Sequence, residues 1–131
     1  MLSSVTAAAV VAVILLAAIV AFQLALAFGA PLGDAAWGGQ HPGVLPTRLR
    51  IASGIAALVI YPLFILVVLA SAGLIEAEWL PVKGRVAMWT LAGLLTLGAL
   101  ANFASRSKRE RFWGPVASII GVCCAVVASG I

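Results

Sequence analysis

Charge is what this sequence has least of. Eight Lys and Arg, four Asp and Glu and one His are spread over 131 residues, so 9% of the chain is charged, against roughly 25% in an ordinary soluble domain. A soluble domain of this length needs polar residues to cover its surface, and that class is excluded. Cysteine is nearly absent as well. Cys123 and Cys124 are the only two, and neighbours on a helix point about 100° apart, too divergent to bond. A disulfide framework and Cys-x-x-Cys thiol chemistry are excluded, and the pair reads as small packing residues. His41 is the single histidine, with only Asp34 near it in sequence, too few ligands for a metal. No dinucleotide fingerprint, phosphate loop or nucleophile–base constellation is present. The expectation is a chain that is not an enzyme and carries no cofactor.

What is present is apolar residue, 64% of the total, gathered into four runs. They cover about 5–28, 51–75, 86–103 and 116–131, each near the ~20 residues a helix needs to cross the hydrocarbon core. Helices are expected because every backbone N–H and C=O must be satisfied inside the bilayer. No alternation of polarity suggests barrel strands. The fold class is therefore all-α, a bundle of four transmembrane helices in one integral membrane domain. The first run is longer than the apolar core of a signal peptide, and no Lys or Arg precedes it, so a retained helix is expected.

Orientation follows from the basic residues. The loops after the first and third helices hold Arg48, Arg50, Arg106, Lys108, Arg109 and Arg111, whereas the opposite side holds Lys83 and Arg85. The positive-inside bias puts residues 29–50 and 104–115 in the cytoplasm and both termini outside. The net charge of +4 reads as this bias, not as a nucleic-acid surface. Arg106, Lys108, Arg109 and Arg111 form a cluster suited to anionic lipid headgroups. Trp79, Trp89 and Trp113 lie near helix ends, as interfacial anchors do.

Small residues recur every fourth position at Ala17, Ala21, Ala25 and Gly29, and again at Ala117, Gly121, Ala125 and Ser129; Ala92, Thr96 and Ala99 add a third set. Such stripes allow close helix approach and are expected on the inner faces of the bundle or at a homodimer contact. Pro62, after Tyr61, is expected to kink the second helix by freeing the Leu58 carbonyl.

Intramembrane chemistry is sparse. No Asp or Glu falls in the four runs, which counts against proton-coupled small multidrug exporters. Gln23, Tyr61 and Asn102 are the candidate intramembrane polar residues, with Thr90 and Thr96 beside them, but they are scattered singly. That weakens a likeness to small fluoride channels, which line their pores with such groups. The loop from Gly29 to Pro46 holds five glycines and three prolines and is long for a helix–helix connection. It is apolar enough to pack back on the bundle. Asp34, Trp37, Gln40, His41, Arg48 and Arg50 are its candidate contacts, with Asp34 expected to pair with Arg48 or Arg50.

Ala36-Trp37-Gly38-Gly39, Leu45-Pro46 and the stretch from Asn102 to Pro115 resemble small four-helix bacterial integral membrane proteins of unknown function. That resemblance spans most of the chain from Gly29 onward and implies a bacterial plasma membrane, without supplying an activity. Three functions follow as expectations. The first is a non-enzymatic accessory or interaction protein, with lipids, a second copy or another membrane protein as partner. The second is a small oligomeric transporter or channel, which a polar cavity near Gln23, Tyr61 or Asn102 would favour. The third is a lipid-headgroup-binding protein, which requires Asp34, His41 and Arg48 in one pocket.

Overall fold

The computed structural model describes residues 2–131, and all regular structure among them is helical. Helix α1 spans Ser4–Ala27. Helices α2 (Thr47–Ile55) and α3 (Tyr61–Ser71) are joined by a π-helical turn, Ala56–Ile60, into one continuous segment. Helix α4 spans Arg85–Phe103. A one-turn helix, α5 (Lys108–Arg111), leads into α6 (Trp113–Gly130). Four segments are long and apolar enough to cross a membrane: Ser4–Ala27, Thr47–Ser71, Arg85–Phe103 and Lys108–Gly130.

The ends of these segments have local causes. Ser3 caps α1, its hydroxyl accepting the Thr6 N–H at 3.0 Å. Gly29, at φ +94°, closes the other end, with Ala30 N–H on the Ala25 carbonyl at 2.9 Å and Gly29 N–H on the Leu26 carbonyl at 3.1 Å. This is a Schellman close, which needs a left-handed residue after the last turn. Gly73 ends α3 in the same way, with Leu74 N–H on the Leu69 carbonyl at 2.9 Å. Arg50 adds to the first of these ends, its Nε donating to the Ala27 carbonyl at 3.1 Å. A cation there also complements the helix dipole.

The expected kink at Pro62 takes a specific form. Tyr61 N–H bonds to the Ala56 carbonyl, five residues back, so the ladder lengthens by one residue just before the proline. Pro62 then falls in the first turn of α3, directly after the widened turn. One continuous span is preserved without a break.

Helix α1 lies between α6 and the α2–α3 segment, and α4 packs against α6 in the most extensive contact of the bundle. Contact between α3 and α4 is sparse. The core is built from Ala9, Ala12 and Leu16 of α1, Val67 and Val68 of α3, Met88 and Leu91 of α4, and Ile120, Cys124 and Val127 of α6. Large apolar side chains such as Ile14, Leu58, Val86, Leu97 and Val122 are exposed. Small residues set the spacing where helices cross. A Cβ on Gly130 would sit 2.2 Å from Val5, and one on Gly114 would sit 2.8 Å from the Phe103 ring.

The small-residue stripe of α1 lies partly outside the bundle, with Ala25 and Gly29 half-buried. Ala17 and Ala21 are exposed, and the inner face of α1 instead carries Ala9, Ala12, Leu16 and Leu26. The buried face mixes alanine with leucine, and four-residue spacing alone does not choose a face on an all-apolar helix. On α6, Ala117 and Gly121 are buried as expected, while Ser129 is exposed; on α4, Ala92 and Ala99 are buried and Thr96 is exposed.

Candidate functional site

The connections after α1 and after α4 meet at one end of the bundle. Gly29–Pro46 winds through two short 3-10 turns, Gly33–Ala35 and Trp37–Gly39. It folds back on α1 through a small apolar cluster of Leu26, Ala36 and Leu45. Trp37 adopts φ +52°, unusual for a bulky residue. Its indole N–H donates to the Ser53 hydroxyl at 3.0 Å, which holds the ring over α2 and satisfies a fully buried hydroxyl.

Ser107 joins this loop to the next. Its hydroxyl caps α5 by accepting the Glu110 N–H at 3.3 Å and also donates to the Asp34 carbonyl. Ser107-Lys108-Arg109-Glu110 has the spacing of a capping box, in which the Glu would reach back to the cap's own N–H. That N–H is taken by the Ser105 hydroxyl at 3.1 Å. Glu110 is thereby released to accept the Gly38 N–H on Oε2 at 2.8 Å. Arg109 pairs with Asp34 at 3.2 Å on the outside of the same contact. Both partners are partly exposed, so this pair contributes under about 1 kcal/mol.

Beneath the clasp lies a cavity of about 290 Å³, bounded by α1, α3, α4, α6 and the Ala35–Trp37 turn. Gln23, Tyr61, Asn102 and Glu110 are its polar lining, and Phe22, Phe64 and Trp113 are among its aromatic walls. Trp113 packs edge-on against Phe22, with ring centroids 4.7 Å apart. The cavity extends inward as far as Ile19, which at 1.5 Å per residue is about 12 Å from the end of α1. Below that level the interior is closed by Leu16, Val68, Met88 and Ile120. The space is a dead end.

Sequence reasoning identified three of the four polar residues but not their meeting. Gln23, Tyr61 and Asn102 belong to three different helices, and only the rotation of each helix brings them together. The Asn102 side chain makes no hydrogen bond among the described residues and lines the cavity. Gln23 Oε1 is buried without a donor.

Glu110 was missed, because the fourth span was started at residue 116 and the spans were taken to hold no acid. The fourth segment begins at Lys108, and Glu110, 6% exposed, is the only acidic residue in the lining. Its Ser-x-x-Glu spacing was the available signal. Trp113, expected as an interfacial anchor, turns inward instead; Trp79 and Trp89 are exposed.

Among the loop candidates, Asp34 faces Arg109 and not Arg48 or Arg50. Gln40 and Arg48 are exposed and His41 is half-buried, none of them in the cavity. The clustering of Asp34, His41 and Arg48 that a headgroup pocket requires is not found. Arg106, Lys108, Arg109 and Arg111 lie exposed at the clasped end.

The arrangement is that of an all-helical bundle with membrane-length segments and a closed-ended polar cavity at one end. No family model, curated protein or solved structure matches the chain.

Proposed function

We propose that this chain is a non-enzymatic integral membrane protein that takes a small ligand into the Gln23–Tyr61–Asn102 cavity, as a small carrier does. The convergence of these three side chains with Glu110 in one space supports the reading. A polar cavity within apolar helices leaves hydrogen-bonding groups unpaired unless water or a ligand meets them. The closed lower half supports a carrier over an open channel. A second reading, an accessory subunit or homodimer, is favoured by the exposed Ala17–Ala21 strip on α1, where another helix can approach closely.

The cavity reading has a direct test. With Cys123 and Cys124 replaced by alanine, Asn102→Cys reacts with a small water-soluble thiosulfonate, while Ala9→Cys, fully buried in the packed half, does not. Equal reaction rates at the two positions overturn the reading.

The membrane we propose is a bacterial plasma membrane, with the clasped loops in the cytoplasm and both termini outside. Six basic residues at the clasped end against Lys83 and Arg85 at the other support this orientation. Lys83 is also engaged, its Nζ donating to the Ala77 and Leu80 carbonyls at 3.1 Å. A reporter fused after Arg109 gives a cytoplasmic signal; a signal from the outer side refutes the orientation.

A further inference from the structure

We infer that the ligand of this cavity is a small organic cation, an ammonium group carried on an apolar body. The inference rests on the cavity being the ligand site and adds its chemical class. Glu110 is the only formally charged residue in the lining. It is 6% exposed, and among the described residues no Lys, Arg or His forms an ion pair with it. One carboxylate oxygen accepts the Gly38 N–H, and among the described residues the other accepts no hydrogen bond. A buried carboxylate held by a single hydrogen bond is incompletely compensated. Gln23 Oε1 is a second acceptor without a donor in the same lining. A carboxylate without a cationic partner and an unpaired acceptor in one lining call for a cationic donor.

The walls point the same way. Phe22, Trp37, Phe64 and Trp113 present aromatic surface to this space, and aromatic faces attract cations. An anion would meet no basic group in the lining. A volume of about 290 Å³ stands at the low end of ligand pockets, so the ligand is small.

The route in follows from the same geometry. Arg106, Lys108, Arg109 and Arg111 are exposed at the clasped end and repel a cation arriving from that side. The thin contact between α3 and α4 is the alternative. On that side Leu94 and Gly98 are exposed and also line the cavity. An amine with an apolar body partitions into the bilayer and enters there sideways.

Benzylamine, benzyl alcohol and benzoate share one size and differ in charge at neutral pH, so they make a suitable probe set. The readout is saturable quenching of Trp37 and Trp113 in full-length protein whose exposed Trp79 and Trp89 are changed to phenylalanine. Benzylamine is expected to bind at least ~10-fold more tightly than the other two. Glu110→Gln, which keeps an acceptor for Gly38, is expected to cost benzylamine at least ~10-fold and to move benzyl alcohol by less than ~3-fold; tenfold corresponds to 1.4 kcal/mol. The wild-type series carries the test even if that variant fails to fold. Equal or tighter binding of benzyl alcohol or benzoate overturns the cation assignment and leaves the cavity reading standing. Saturable quenching by none of the three overturns the cation assignment, and unreactive Asn102→Cys alongside it removes the cavity reading too.

Discussion

Gly121→Leu is expected to unseat α6 from α4 and to lower the stability of the bundle by about 3 kcal/mol or more. Gly121 is buried at the most extensive helix contact of the fold. A Cβ there would lie 3.2 Å from the Thr96 hydroxyl oxygen and 3.5 Å from the Ala92 carbonyl oxygen. The hydroxyl cannot simply swing away, because it is bonded to that same Ala92 carbonyl at 2.7 Å. One methyl requires the helices to part by a few tenths of an ångström, and an isobutyl group requires a new crossing. Lipid-embedded helices are held together by close packing, not by release of water, so a lost approach is not regained elsewhere.

Gly121→Ala makes the argument quantitative. Its cost is expected near 1 kcal/mol, and Thr96→Ala in the same chain should remove most of it by clearing the hydroxyl. The same double change should not rescue leucine. Reversible unfolding in mixed micelles, followed by circular dichroism, measures all four variants. The effect should also reach the cavity, since α4 carries Leu94, Leu95, Gly98 and Asn102 of its lining. A Gly121→Leu protein as stable as the parent would show that α4 and α6 do not meet as described.

The parts of this fold that depend on composition were legible in advance. Four spans follow from four apolar runs, and their ends from Gly29, Gly73 and the charged stretches between them. The relative rotation of the helices was not legible. Where nearly every residue of α1 is apolar, no polar face marks the outside, and the four-residue spacing of Ala17, Ala21 and Ala25 does not say whether the stripe faces the bundle or another chain. The cavity was hidden for the same reason. Gln23, Tyr61 and Asn102 are isolated in sequence and become one lining only through packing. Glu110 was obscured differently. It stands among Lys108, Arg109 and Arg111, so its charge reads as part of a solvated loop. Its Ser-x-x-Glu spacing was the visible sign of a helix start, and Gly38 N–H, distant in sequence, is what turns the carboxylate inward.

That contact makes the Gly29–Pro46 loop the lid of the cavity, and Gly33 is a position where the loop cannot yield. Gly33→Ala is expected to detach the lid while leaving the bundle assembled. A Cβ on Gly33 would collide with the His41 carbonyl oxygen and lie 2.7 Å from that of Gly43. Both are backbone atoms, so no side chain can rotate out of the way. The Gly33 N–H donates to the same Gly43 carbonyl at 2.8 Å, and the approach that bond needs is what the methyl blocks. The local cost is about 3 kcal/mol or more, set against one exposed ion pair, a few hydrogen bonds and the small Leu26–Ala36–Leu45 cluster that hold the lid. The lid therefore opens as a unit, as weakly held segments do. Asp34 leaves Arg109 and Ser107, Trp37 leaves Ser53, and Gly38 leaves Glu110. Three readouts should move together: faster proteolysis within residues 29–46, a red shift of Trp37 emission, and a higher reaction rate at Asn102→Cys. The far-ultraviolet helical signal should be almost unchanged, because α1, α3, α4 and α6 hold one another without the loop. Gly43→Ala is the matched control. Nothing lies within 4 Å of its Cβ position, and only its φ of +82° opposes a side chain, at about 1–2 kcal/mol. If Gly33→Ala resists proteolysis as well as the parent, the clasp is not what closes the cavity; if it unfolds the whole bundle, the lid is part of the core and not a separate unit.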